Sequence, residues 1–315
     1  MAITASFFAA IIPVPLYLSI IWLTIKNEKG QLKFVAIHFM WGAIGAIILG
    51  ISGSFILTFL TGFMGNTSYF SRLVGSIIFA PFSEELSKGF FLLYSINSKQ
   101  FDNVIDGFIY GSAIGLGFGV TENFIYYIVF GINLRSWLYI VVVRTLFSGL
   151  MHCIATGTFG SYLARAKFST GLIKYMLPFT GLALAMSLHS IWNISVSFGG
   201  NYFNSFLFMA VLVVFFIIGY KLPLIYEQKI IEKELLEESS LGIIPKFHLV
   251  ILSSNLRFRK GWIFENIRNK YSRYAIRLAF NKYQFRKCSG DMKDLIGIEI
   301  EKNREVVRSL LSNNI

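Results

Sequence analysis

The sequence predicts an all-α, polytopic membrane bundle of about seven transmembrane helices, followed by a mainly helical, water-soluble tail. Three observations lead there. Hydrophobic residues make up 55% of the 315 positions and charged residues 15%, against about 25% charged in soluble domains, so most of the chain could not clothe itself in a water-facing surface. The charge is also unevenly spread: residues 1–225 hold 12 Lys/Arg and 6 Asp/Glu, while residues 226–315 hold 17 and 11. Finally, seven stretches reach the roughly 20 mostly apolar residues that cross a bilayer, at 5–25, 34–61, 71–96, 104–130, 137–163, 175–198 and 203–225. A membrane domain over 1–225 and a basic cytoplasmic tail over 226–315 follow.

The first stretch has no Lys or Arg before Lys26 and is full length, so it reads as a retained helix and not a cleaved signal. The second and seventh are nearly free of ionisable groups in their middles, which suits packing and anchoring. Turns on one side carry Lys26, Lys29, Lys33, Lys99, Arg165, Lys167 and Lys174, whereas the other side has Arg72 and Arg135. The positive-inside bias then places the N-terminus outside and the tail in the cytoplasm, in a multi-pass protein of the cell membrane. Cys153 lies in a span and Cys288 in the tail, which excludes a disulfide framework.

The third to sixth stretches depart from lipid-like composition. An ionisable side chain at the bilayer centre costs about 2.5–3.5 kcal/mol on insertion scales, so it marks a functional site facing the bundle interior. The third stretch holds Pro81, Glu84, Glu85 and Lys88; the i,i+4 and i,i+3 spacings let the ammonium reach either carboxylate. Two adjacent carboxylates in low dielectric do not both stay ionised cheaply, which suits one of them to proton transfer. In the fourth, Gly107, Gly111, Gly115 and Gly119 form a small-residue stripe for close helix approach, and Glu122, with Asn123 beside it, extends that face.

The fifth stretch carries Arg144 and a polar face of Thr145, Ser148, His152 and Thr156, flanked by a second small-residue stripe of Gly149, Cys153 and Gly157; the sixth carries His189 and Asn193 one turn apart. At 1.5 Å per residue, Glu84 lies roughly 20 Å, His152 roughly 22 Å, His189 roughly 14 Å, Glu122 roughly 12 Å and Arg144 roughly 10 Å below the outer surface. These depths fall in one band, as a single site requires.

Such residues suit hydrolysis of a carbonyl compound by activated water. A carboxylate takes the proton, and imidazole and amide donors stabilise the oxyanion. The same residue types could hold a divalent metal such as zinc, with Glu85, His152 and His189 as ligands; the sequence leaves both mechanisms open. No HExxH or GxSxG motif and no rhomboid-like Ser/His pair is present. Buried Glu and His also serve proton-coupled transporters, but the inverted repeats of such carriers are missing. A non-catalytic membrane adaptor would not need the full polar set.

The segments APFSEELSK (Ala80 to Lys88), DGFIYGSAIGLGFGVTEN (Asp106 to Asn123), Arg144 to His152 with ATGTFG after it, and HSIWN (His189 to Asn193) together resemble the PrsW family of intramembrane proteases. That family is related to the CAAX prenyl endopeptidases and the CPBP membrane proteins, and the resemblance covers about residues 70–200. It implies that Glu84 and Glu85 are the paired glutamates, the first of which is taken to activate water in the prenyl endopeptidases; Lys88 stands where those relatives have Arg. It further implies that His152 is the histidine of the middle motif, and that His189 and Asn193 are oxyanion partners. Glu122 and Asn123 match a pair characteristic of this branch. The implied substrate is a membrane-anchored protein such as an anti-sigma factor, cut near the outer side.

The tail lies outside the resemblance. Glu227 to Glu238, following Pro223 as an expected break, can form an amphipathic helix. From Lys246 to Lys287 there are 11 Lys/Arg against one acid, Glu265, interleaved with Phe247, Phe258, Trp262, Phe264, Tyr271, Tyr274, Phe280, Tyr283 and Phe285. Such a mixture beside a span suits anionic lipid headgroups of the bilayer. Nucleic acid would attract the same charge, but no nucleic-acid-binding motif accompanies it.

Overall fold

The computed structural model describes residues 3–25, 29–98, 101, 104–167, 169, 171–197 and 202–312, and every regular element among them is a helix. Lys26 and Lys99, which contribute to the expected orientation, lie outside the described residues. The chain forms two compact units, one of residues 1–25, 29–167 and 175–219, the other mainly of residues 220–315.

In the first unit the expected opening span is two helices, α1 (Ile3–Ile11) and α2 (Val14–Ile25). The interruption falls at Pro13, which has no N–H to continue a helical ladder. Three later runs each contain a π-helical segment. The run α3 (Lys29–Met40), π1 (Trp41–Ala46) and α4 (Ile47–Leu60) is followed by α5 (Tyr69–Val74), π2 (Gly75–Phe79) and α6 (Ala80–Ser95). Next come α7 (Val104–Phe130), then α8 (Leu134–Val143), π3 (Arg144–Ser148) and α9 (Gly149–Lys167), then α10 (Leu172–Ser197). Ser68 caps α5, and a reciprocal Asn133/Ser136 capping box opens α8.

Among the described residues four helical runs are long and apolar enough to cross a membrane: Leu32–Leu60, Val104–Phe130, Leu134–Lys167 and Leu172–Ser197. They correspond to the second, fourth, fifth and sixth expected spans. The third expected span is helical but carries Arg72, Glu84, Glu85 and Lys88, too many charges to be apolar. The seventh, 203–225, is helical in its backbone, although most of its side chains fall outside the described residues.

Helix α7 is central. Within its most apolar window 78% of residues are buried, against 17–39% in the other three runs, whose outward faces display Ile48, Ile51, Phe55, Phe59, Leu138 and Val142 as a lipid-facing side would. The glycine stripe explains how α7 fits there. A Cβ built on Gly111 or Gly115 would fall onto the backbone carbonyl of Thr156 or His152 of α9, so only glycine permits this approach.

The second unit corrects the expected break at Pro223: α11 (Tyr202–Ser240) passes through that position without ending. Proline deletes one backbone hydrogen bond, and a helix favoured elsewhere tolerates that. The amphipathic helix expected over Glu227–Glu238 is the last part of α11. With α12 (Lys246–Ser253), α13 (Glu265–Phe285) and α14 (Asp291–Ser312) it encloses a core containing Ile231, Leu235, Leu252, Tyr271, Leu278 and Val307.

Many of the interleaved tail aromatics therefore serve this core. Tyr271 and Phe280 are buried in this core, and Trp262, Tyr274, Tyr283 and Phe285 pack against it, while Phe247 and Phe264 are exposed. Part of the basic charge is likewise paired with the acidic face of α11. Lys282 donates to Glu238 Oε1 at 2.6 Å, Arg304 grips both oxygens of Glu238 at 2.7 and 2.8 Å, and Arg286 donates to Glu234 at 3.0 Å.

Candidate active site

Four helical runs of the first unit bring the ionisable residues together. From α6 come Glu84, Glu85 and Lys88; from α7, Glu122 and Asn123; from π3 and α9, Arg144 and His152; from α10, His189. All are buried except Glu84, Glu122 and Arg144, whose side chains keep 12%, 15% and 11% of their exposure.

The two adjacent glutamates have opposite surroundings. Glu85 is saturated: Oε1 accepts from Lys88 Nζ at 2.8 Å and from His189 Nδ1 at 2.9 Å, and Oε2 accepts from Thr156 Oγ1 at 3.1 Å. Glu84 Oε2 is buried and has no hydrogen-bond partner. Its nearest charged or imidazole neighbours are Lys88 Nζ at 3.6 Å and His189 Nε2 at 3.8 Å. The structure thus distinguishes two carboxylates that are equivalent by spacing alone.

Each histidine is oriented by a carboxylate. Because an ionised carboxylate only accepts, His189 Nδ1 carries the proton it gives Glu85, which leaves Nε2 a lone pair facing Glu84. His152 Nε2 lies 2.8 Å from Glu122 Oε2, and its Nδ1 lies 3.1 Å from Lys88 Nζ. Lys88 can only donate, so His152 takes the opposite tautomer, with Nε2 protonated toward Glu122. Glu122 is held in turn by Arg144 Nη2 at 2.5 Å, while Arg144 Nε donates to Asn123 Oδ1 at 2.9 Å. The Arg144 guanidinium lies 3.6 Å from the Tyr126 ring centroid and Lys88 Nζ 3.8 Å from that of Phe118.

Ligand atoms of Glu84, His152 and His189 lie within 4.8 Å of one another, a spacing able to hold a metal ion. The donor set fits one: a carboxylate and two imidazoles, each imidazole backed by a second carboxylate in the carboxylate–histidine arrangement common at metal sites. The unpartnered oxygen of Glu84 supports the same fit. The acidic member of this trio is Glu84, whereas the sequence suggested Glu85, whose oxygens are already engaged.

Asn193 stands apart from the cluster. Its Nδ2 donates to the Ser76 carbonyl at 2.7 Å, for a reason that begins at Pro81. In π2 the Ala80 N–H goes to Gly75 O, and the next residue able to close a π-type bond onto Ser76 O would be residue 81, a proline without an N–H. The stranded carbonyl takes its partner from α10. Tyr126, Phe118 and Ser76 escape the sequence reading. Phe118, Glu122 and Tyr126 recur every four residues, so the first two of these were detectable as one face of α7; the π-helical carbonyl was not.

Comparison with known proteins identifies the family. The family described as PrsW family intramembrane metalloprotease matches residues 30–220. Protease PrsW of Oceanobacillus iheyensis is 30% identical over 156 residues, 49% of this chain and 69% of that protein. Protease PrsW of Halalkalibacterium halodurans is 30% identical over 188 residues, 59% and 80% of the two chains, and that of Bacillus subtilis is 29% identical over 131 residues, 41% and 56%. No solved structure matches the chain. With membrane-crossing helices, a buried Glu/His centre able to hold a metal, and a match over residues 30–220, the chain belongs to the PrsW family and is an intramembrane protease.

Proposed function

We propose that the chain cuts a peptide bond of a membrane-anchored protein by activated water at Glu84, with Glu84, His152 and His189 as the residues that would hold a divalent metal. The observation that carries this is the buried, unpartnered Glu84 Oε2 facing His189 Nε2 at 3.8 Å. When bound, such a metal supplies Lewis-acid polarisation of the carbonyl and readier ionisation of water. Glu84 would help to hold it and, as general base, would take the proton from the attacking water and return it to the departing amine. Lys88, 3.6 Å from Glu84 Oε2, adds a positive charge beside the developing oxyanion. Glu85 and Glu122 fix the two imidazoles, and Arg144 and Asn123 fix Glu122. Asn193 positions α10 against π2, a different role from the oxyanion contact that the resemblance implies.

The remaining parts of this reading rest on sequence. Seven spans, an outside N-terminus and a cytoplasmic tail follow from apolar lengths and the lysine-rich turns; protease domain 1–225 and tail 226–315 follow from charge distribution. An anti-sigma factor or similar anchored regulator is the substrate class that the motif resemblance implies, as is kinship with the CAAX and CPBP proteins. Exposed Phe247 and Phe264, among the basic residues of the tail, suit an anionic membrane surface.

The test is reconstitution of the full chain in vesicles with a membrane-anchored substrate, alongside elemental analysis. Glu84→Gln is expected to abolish cleavage, chelator to depress it, and the purified protein to carry a divalent metal. Full activity in Glu84→Gln would refute the proposal.

A further inference from the structure

Lys88 is placed where a metal centre would not ordinarily keep a cation of its own. Its side chain is wholly excluded from solvent, and its ammonium lies 2.8 Å from Glu85 Oε1, 3.1 Å from His152 Nδ1 and 3.6 Å from Glu84 Oε2. An ammonium has three donors and no acceptor, so His152 Nδ1 offers it a lone pair. That lone pair is the one His152 has for a metal, because its other nitrogen is turned to Glu122 at 2.8 Å. Two of the three polar neighbours of Lys88 are therefore metal donors.

We propose that Lys88 is the resident cation of the metal-free centre: its ammonium holds the Glu84, His152 and Glu85 donors together and must leave His152 Nδ1 when a divalent metal binds, so that Lys88 sets metal affinity by competition. This rests on the assignment of Glu84, His152 and His189 as ligands. Two physical points support it. Three carboxylates, Glu84, Glu85 and Glu122, share this region with two basic side chains, Lys88 and Arg144, and Arg144 is committed to Glu122. Without Lys88 the Glu84–Glu85 pair would stand uncompensated in a largely buried site, which is costly. Glu85 Oε1, which is not among the proposed ligand atoms, remains to receive the ammonium once His152 is released, so displacement need not strand a buried charge.

Full-length protein in detergent, stripped of metal and titrated with cobalt(II), tests the idea through the cobalt absorption spectrum and the thermal midpoint with and without metal. Lys88→Met, nearly the same shape without the charge, is expected to bind cobalt(II) about tenfold or more tightly than wild type, the scale typical of residues just outside the ligand shell. Its metal-free midpoint should fall, and the gain in midpoint on adding cobalt(II) should exceed that of wild type. Lys88→Gln should change in the same direction. Should Lys88→Met fold only when cobalt(II) is present, the competition stands; should it fail to fold with the metal as well, or should both variants bind cobalt(II) no more tightly than wild type, it is overturned. A Glu84→Ala/His189→Ala control separates the two levels: if it takes up as much cobalt(II) as wild type, or if wild type takes up none, the ligand assignment itself fails and the role of Lys88 falls with it.

Discussion

Glu84 and Glu85 are neighbours in sequence, and their difference comes from what surrounds each oxygen. Glu84→Gln removes a charge from an atom without a hydrogen-bond partner, so the fold is expected to survive while cleavage drops at least about 100-fold, the scale of general-base loss. Glu85→Gln instead breaks the contact with buried Lys88 and unseats His189, which should destabilise the protein by about 3–5 kcal/mol, as for other severed buried ion pairs. Thermal midpoints and cleavage rates measured on both variants check this; equal destabilisation by the two would contradict it. Asn193→Ala strands the Ser76 carbonyl and is expected to cost about 1–3 kcal/mol, with activity reduced but not abolished. Sequence spacing singled out Glu84, Glu85, His152 and His189, because a charge in a lipid-length helix costs too much to persist without a use, and the structure brings the four together. It could not say which oxygen was free.

Three π-helical segments recur among the described residues of the first unit, and each exposes backbone carbonyls that another element covers. Ser87 Oγ and Thr121 Oγ1 donate to Ala46 and Ala43 of π1, Asn193 to Ser76 of π2, and Asn123 and Tyr17 to Arg144 and Thr145 of π3. Side-chain clips of this kind join the helices where an unpaired carbonyl would be most costly. Coupling should therefore be measurable: Pro81→Ala restores an N–H next to Ser76 O, so Asn193→Ala is expected to destabilise the Pro81→Ala background less than wild type in a double-mutant cycle. Additive effects would contradict the stranded-carbonyl account. At the α7–α9 contact, Gly115→Val would drive a side chain into the His152 carbonyl. It should lower folded yield and activity together, whereas Gly149→Ala, where a Cβ meets nothing within 4 Å, should be mild.

For the whole chain, topology can be tested by labelling single cysteines in intact cells. A cysteine at Asn66 should react with an impermeant reagent from outside and one at Ser312 should not; the reverse pattern would invert the proposed orientation. The tail should respond to acid in its own way. Burial holds His248 down from its usual 6.5 to about 4, so the unfolded chain binds a proton that the folded tail refuses. Its contribution to stability is complete above pH 6.5 and is lost as pH falls toward 4. Burial pushes the Glu238 carboxyl up, but hydrogen bonds from Arg304 and Lys282 outweigh this and hold it below the ordinary carboxylate range, so that contribution persists to lower pH and then goes. Hydrogen exchange of tail amides in the full chain should accelerate between pH 6.5 and 4, after correction for intrinsic rates, and His248→Gln should flatten that dependence.

Local chemistry was enough to announce a helical membrane protein with a buried Glu/His cluster, because lipid tolerates neither charge nor unpaired backbone without cause and the exceptions stand out against an apolar background. The continuity of α11 through Pro223 and the inward turn of the tail aromatics were beyond it, since whether a proline ends a helix or an aromatic faces lipid depends on which partners lie across from it. The same holds at the centre itself. Which glutamate keeps a free oxygen, which imidazole nitrogen bears the proton and where Asn193 donates are all outcomes of contacts between residues far apart along the chain, and distances of that kind exist only after the helices have packed.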